Sequence, residues 1–216
     1  MPNHPSDKIS SVLDRLEKTE KLLLNAVPNI LTADDHKLYA FDFLANAALK
    51  RSVALSSGFR TLICDQNFTC AGALIRLQLD TALRFMAGFI VENPHEFATA
   101  VMEGNRINKM KDRDGECMTD RYLVNKMSEK YSWVGSVYEQ TSNYIHFSDT
   151  HIFSMSDGKN DSDETYSISI GIKDSNISDE EYLGAILIFH NITGILMSYI
   201  EGWIATKGNP LRNSEV

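Results

Sequence analysis

Cysteine is scarce in this chain and badly placed for cross-linking: Cys64, Cys70 and Cys117 are an odd number, and none stands in a CxxC pair. That excludes a disulfide framework and a zinc knuckle, and the expectation is reduced thiols packed as small hydrophobes. Basic charge is also short. With 21 Lys and Arg against 29 Asp and Glu, the net charge is −8. Broad non-specific binding to a phosphate backbone, which works by neutralising many phosphates, is thereby disfavoured. The opening segment MPNHPSDKISSVLDRLEK has neither the basic stretch nor the apolar run of a secretory leader. The expectation is a cytoplasmic protein that begins here, in which the Asn67, Asn176 and Asn191 glycosylation matches are chance. No phosphate loop, GxSxG elbow or metal-spaced cluster occurs, so no cofactor and no metal are expected.

What is present reads as helix. The chain has 216 residues, 43% of them hydrophobic and 23% charged, without repeats or a linker, which suits a single domain over residues 1–216. Ile9, Val12, Leu13, Leu16 and Leu23 recur at helical spacing from Ser6 to about Ala26, with Ser6 or Asp7 as cap. A long Ala- and Leu-rich helix is expected from His36 to Cys64, and a third, FTCAGALIRLQLDTALRFMAGFIVENP, is apolar on most of its circumference and stops before Pro94. Such a helix belongs at the centre of a bundle. Shorter helices are expected over Pro94 to Glu103, Asp120 to Lys130 and Trp133 to His146. Alternation in HIFSMS and TYSISIGI then suits a β-hairpin over about residues 150–172, closed by a long acidic loop. Ser178 and Glu181 stand in capping-box spacing before a final helix to about Lys207, ended by Gly208, Asn209 and Pro210. That helix is long enough to span a bilayer, but His190 and Asn191 near its middle are costly in hydrocarbon. A core or dimer-interface helix is the expectation, with no membrane. The fold class is mainly α, a helical bundle with a small hairpin before the C-terminal helix.

Two constellations carry candidate chemistry. On the third helix Arg76, Asp80 and Arg84 step by four and form one polar stripe; they either pair as an internal ladder or line a cleft, because unpartnered charges on an enclosed helix are expensive. In YEQTSNYIHFSDTH, Tyr138, Ser142 and His146 also step by four. His146 is either a helix-end cap or an acid or base with Ser142, Asn143 and Tyr144 as hydrogen-bonding neighbours. His146 and His151 make only an HxxxxH without fixed geometry, and Ser142, His146 and Asp149 give a triad on paper without an elbow. A basic cluster, Arg106, Lys109, Lys111 and Arg113, is diluted by Asp112 and Asp114 and reads as a solvated segment or a local RNA contact.

The RLQLDTALRFMAGFIVENP helix followed by YEQTSNYIHFS resembles a family of bacterial helical proteins related to the HEPN superfamily (higher eukaryotes and prokaryotes nucleotide-binding), over about residues 35–150. The resemblance implies a helical bundle, often dimeric, whose active members are metal-independent ribonucleases of toxin-antitoxin and antiviral defence systems. Their mark is an Arg separated from a His by four to six residues on one helix. Here those positions hold Thr141, Gln140 and Glu139, so Arg76 or Arg84 would have to replace it from the neighbouring helix, with Asp80 orienting that arginine. Two functions follow as expectations. One is a HEPN-like cytosolic defence protein that binds or cleaves RNA, or binds a nucleotide, through Arg76, Asp80 and His146 with Arg84, Tyr138, Ser142, Asn143 and Tyr144 as binding residues, acting as a homodimer or with a partner protein of that system. The other is a non-catalytic binding or assembly module whose polar residues are a structural network. Packing the two stepped helices side by side is expected to bring Arg76, Asp80 or Arg84 to His146 or Ser142.

Overall fold

The central helix sets the architecture. In the computed structural model, which describes residues 7–160, 165–174 and 176–208, Phe68–Ile90 forms α3 and has packed neighbours on nearly every side: α2 (Ala40–Cys64), α4 (Pro94–Met102), α5 (Asp120–Lys130), α6 (Val134–Ile145) and α8 (Asp179–Thr206). The first helix, α1 (Asp7–Thr32), closes the bundle against α2 and α8. The molecule is a mainly helical bundle, as its periodicity indicates. Ser6, residues 161–164 of the acidic loop, Asn209 and Pro210 lie outside the described residues.

Several boundaries differ from the sequence reading for local reasons. Helix α1 runs past Ala26 and carries Pro28 inside it. Proline removes one backbone donor, but Ile30 beyond it is fully buried, and that burial outweighs the lost hydrogen bond. Helix α2 starts at Ala40, not His36, because Asp34, Asp35 and His36 all lie in the left-handed region at φ 53°, 53° and 61°, which a right-handed helix cannot contain. The Asp42 carboxylate instead accepts the Tyr39 amide at 2.8 Å and starts the helix.

The hairpin is the larger correction. HIFSMS does not form a strand: Asp149–Ser154 is a short helix, α7, in which His151 Nδ1 accepts the Ser148 amide at 3.2 Å. Asp149 sits in its first turn, where a carboxylate suits the helix dipole. The two strands are β1 (Ser156–Asn160) and β2 (Thr165–Ile168), antiparallel, with Ser156 opposite Ile168 and a bulge between Ser156 and Lys159. Cys64, Cys70 and Cys117 are exposed, because each falls at a helix end or loop and not on an inward stripe.

Helix α8 has the length and apolarity of a bilayer span, yet its large side chains are spent inside the bundle. Phe189 stacks on Phe59 with ring centres 4.4 Å apart, and Ile186, Ile192, Leu196, Ile200 and Trp203 are buried. His190 Nδ1 lies 3.3 Å from Thr19 Oγ1 of α1. The exposed stripe consists mostly of Asn191, Gly194, Ser198 and Glu201. Gly72 lets α6 approach α3, since a Cβ there would stand 2.6 Å from the Tyr144 ring.

A buried ionic hub ties three helix termini together at one end of the bundle. Asp42 and Lys207, with side chains fully inaccessible, lie 3.0 Å apart. Asp42 also accepts Trp203 Nε1–H at 2.8 Å, and Lys207 donates to the Ile30 carbonyl at 2.5 Å. Thus the end of α1, the start of α2 and the end of α8 share one charge pair. His95 stacks on Tyr39 at 4.9 Å and meets Trp203 edge-on at 5.6 Å, with Nδ1 buried and without an acceptor or donor among the described residues.

Two outcomes follow. Lys207→Met leaves the Asp42 carboxylate buried and unpaired, so it costs about 3–5 kcal/mol and lowers the thermal midpoint by roughly 10 °C for a domain of this size; a melt within 2 °C of wild type contradicts the hub. Burial pushes the His95 pKa below its usual value, against the pull of Asp42, so the folded protein favours the neutral ring. The unfolded chain takes up the proton as pH falls through about 6.5, and stability, full above that pH, declines below it. Burial and Arg15 push His190 the same way. Melts between pH 7 and pH 5 therefore fall for wild type and fall less steeply for His95→Asn.

Candidate functional site

The stripe on α3 is where charge concentrates inside the bundle. Arg84 Nε lies 3.1 Å from Asp80 Oδ1 one turn earlier, and Arg84 Nη2 hydrogen-bonds Asp120 Oδ1 of α5. Arg76, only 12% exposed, reaches the same Asp120 at 3.8 Å and lays its guanidinium 3.9 Å from the centre of the Tyr138 ring on α6. Asp80 in turn lies 3.7 Å from Arg51 Nη2 of α2. One continuous chain, Arg51, Asp80, Arg84, Asp120, Arg76 and Tyr138, therefore crosses four helices. A partly desolvated guanidinium held on both its face and its edge is stabilised by the π-cloud and the carboxylate together.

Helix α5 is positioned for this role by Thr119, whose hydroxyl caps it by accepting the Tyr122 amide at 3.3 Å. Asp120 then falls at its first position, where a carboxylate also complements the helix dipole. Neither Asp120 nor Arg51 was singled out from the sequence. A signal existed: Arg76, Asp80 and Arg84 sum to one excess positive charge, which called for a carboxylate from elsewhere. Between α2 and α3, Arg51, Asp80 and Arg84 rim a cavity of about 160 Å³ floored by Leu44, Ala48 and Phe85.

The α6 residues divide. Tyr138 joins the cluster. Ser142 does not, because its hydroxyl donates to the Tyr138 carbonyl at 2.7 Å on its own helix. Asn143 is exposed, and with Tyr144 it lines a separate cavity of about 370 Å³ between α3, α6 and α8. Tyr144 packs there on Gly72 and edge-on to Phe68 at 6.0 Å; burial, then Glu181 and Asp174, push its hydroxyl pKa up. His146 caps α6, its amide donating to the Ser142 carbonyl at 3.1 Å, and its side chain is exposed. Among the described residues no hydrogen bond or ion pair joins the His146 ring to Arg76, Asp80 or Arg84. The helices do pack side by side, as their faces suggested, but the residue that meets the arginine is Tyr138, one helical turn before Ser142.

The remaining paper motifs are occupied locally. Asp149 accepts the Thr150 amide at 2.9 Å, Ser142 is turned to Tyr138, and no Ser-His-Asp relay forms. His151 is held by the Ser148 amide, and among the described residues no three His, Cys, Asp or Glu side chains gather as metal ligands would. In the basic segment, Arg113 closes the end of α3 by donating to the carbonyls of Phe89 at 2.6 Å and Ile90 at 3.2 Å, an arginine C-cap. Arg106, Lys109 and Lys111 stay exposed. Burial pushes the Asp112 pKa up, but the Tyr122 hydroxyl and the Glu116 and Asp114 amides outweigh it and hold the carboxyl below its usual value.

No family model, curated protein or solved structure matches this chain. The functional reading therefore rests on the geometry above.

Because Arg84 and Arg76 share Asp120, Asp120→Ala takes a carboxylate from two partly buried guanidinium groups at once, leaving Arg84 with Asp80 and Arg76 with the Tyr138 ring. It is expected to cost about 2–3 kcal/mol, more than Arg51→Ala, whose half-exposed pair contributes at most about 1 kcal/mol. Urea unfolding of the two variants checks the order, and equal midpoints contradict a shared cluster.

Proposed function

We propose that this chain is a HEPN-like helical binding and assembly module in which the charged stripe of α3 is a structural network and not the catalytic groove of a ribonuclease. One observation carries the reading: Arg76, Asp80 and Arg84 are each engaged by Asp120, Arg51 or Tyr138, while His146, the acid-base candidate of α6, stands outside that cluster at an exposed helix end. A metal-independent ribonuclease needs an imidazole and a cation converging on one phosphate, the first to move the 2′-hydroxyl or leaving-group proton and the second to stabilise the developing charge. The sequence resemblance to HEPN proteins suggests the setting: a cytosolic bacterial defence or toxin-antitoxin system, in which a non-catalytic module binds RNA, a nucleotide or a partner protein.

A second reading keeps catalysis. It is favoured by the exposed His146 ring, which has no partner among the described residues, and by Arg84 Nη1, which is buried without an acceptor among them. In that reading one RNA strand would run between the two and touch each through a different phosphate, because Gly72 meets Tyr144 and Arg76 meets Tyr138, which sets His146 and Arg84 at opposite ends of the contact between α3 and α6. The readings separate in one pair of variants. The structural network predicts that Arg76→Ala lowers the thermal midpoint by roughly 4–8 °C, from about 2 kcal/mol in a chain of this length, whereas His146→Ala leaves the midpoint unchanged and purified protein shows no His146-dependent RNA cleavage. Cleavage of single-stranded RNA that disappears in His146→Ala, with Arg76→Ala melting like wild type, overturns it.

A further inference from the structure

Every described large apolar side chain more than 60% exposed lies in one stretch of the fold: Phe147 at 87%, Phe153 at 70%, Ile170 at 90% and Ile172 at 79%. Ile152 and Ile168, about half exposed, join them. The other exposed apolar side chains, such as Leu22, Phe43 and Leu187, are scattered over α1, α2 and α8, as on any folded protein. These six are contiguous. Phe147 stacks on His151 of α7 at 5.6 Å, the Ser169 amide donates to the Met155 carbonyl at 2.8 Å, and Ile170 and Ile172 share a groove with His151 and Met155. Together they expose roughly 800 Å², above the roughly 300–600 Å² of a typical monomer's largest apolar patch and close to what one partner brings to a standard interface.

Backbone chemistry points the same way. The sheet has two strands, so among the described residues β2 has no neighbouring strand on the side away from β1. Natural edge strands are blunted by Lys or Pro. From Thr165 to Ile172, TYSISIGI, this one carries neither, nor any other charge. Ile168 and Ile170 flank Ser169, which spends its amide on the β1 side and so turns the Ile170 amide to the open edge.

We infer that the face built from Phe147, α7 and the strand through Ile172 is a homodimer surface, in which the open edge of β2 pairs antiparallel with the same edge of a second copy. Charge selects the occupant. From Tyr131 to Gly158 the chain has no Lys or Arg, and Lys173, which lines the groove, donates to Gln66 Oε1 at 3.4 Å, so the surface offers no cluster of cations to a phosphate, and a net charge of −8 opposes an anionic lipid surface. An uncharged strand is complementary to itself. A two-fold axis centred on Ile170 sets Ile168 opposite the second copy's Ile172 and Ile170 opposite its equivalent, with apolar side chains on the same face and no like charges in register. Ser169 and Ile170 continue the strand, and the bend at residues 171–173 straightens on pairing to bring in Ile172. This surface is distinct from the charged cluster of α3, so the melts that test the network do not bear on it.

The test is the solution mass of the full chain by light scattering at about 50 μM, a concentration at which a dimer with micromolar Kd is populated, together with Ile170→Lys and Ile170→Pro, each checked for an unchanged helical circular dichroism spectrum. The expected result is twice 24.3 kDa for wild type and a monomer for both variants, because lysine charges the face and proline removes the edge donor. Amide exchange over residues 165–172 in wild type provides a second readout: protection rises with protein concentration, by tenfold or more between 1 and 50 μM. A monomeric wild type, a dimer that survives both variants, concentration-independent exchange, or a monomer that instead floats with phosphatidylcholine vesicles overturns the inference.

Discussion

The enclosure of α3 is the constraint from which the rest of the molecule follows. A helix packed by α2, α4, α5, α6 and α8 cannot leave charged side chains to water, and each guanidinium or carboxylate on it must find a partner on a neighbour. Arg76, Asp80 and Arg84 meet that demand by recruiting Asp120 from α5, Arg51 from α2 and the Tyr138 ring from α6. The positions of the shorter helices are thus tied to the charges of the central one. Gln78 does the same on the opposite face, donating to Ser52 of α2 at 2.6 Å and Thr193 of α8 at 3.1 Å. Polar contacts on two faces specify which neighbour sits where, while the apolar stripes supply the bulk of the driving force.

The Asp42 and Lys207 pair works differently. It lies at one end of the bundle, fully buried, and joins elements far apart in sequence through Trp203 and the Ile30 carbonyl. A buried pair of this kind is weak as net stabilisation but severe in its penalty when one partner is missing. It therefore fixes how the last turn of α8 closes over the turn between α1 and α2. The left-handed run at Asp34, Asp35 and His36 is held in the same corner, where the Tyr39 hydroxyl donates to Asp34 at 2.6 Å.

Helices were legible in the sequence wherever period, cap and stop agreed. Pro94 at the start of α4 and the Ser178 and Glu181 box before α8 both appear in place. The misreadings have one cause, that local pattern is silent about tertiary partners. Short alternation in HIFSMS suited a strand, but Ser148, Asp149 and His151 supply a helix start that the alternation hid. The left-handed turn before Tyr39 has no glycine to announce it. In the candidate site, the α3 stripe and its packing beside α6 were readable from spacing by four. Which α6 side chain meets Arg76 was not, because Tyr138 and His146 lie on the same stepped row and only the position of the crossing decides between them. Asp120 was hidden for a related reason: an aspartate in a helix's first turn is ordinary, and only the unmatched charge on α3 gives it a second role.

The central claim is that the α3 stripe is a cooperative structural network. A double-mutant cycle on Arg84 and Asp120, using Arg84→Met, Asp120→Asn and the double variant in urea unfolding, tests it most directly, because the cycle isolates the interaction between the two from the separate cost of each substitution. The account predicts a coupling of about 1–3 kcal/mol, with the double variant less destabilised than the two singles combined. Additive single effects, with coupling within about 0.3 kcal/mol of zero, would contradict it and return the arginines to the role of solvent-facing groups awaiting a ligand.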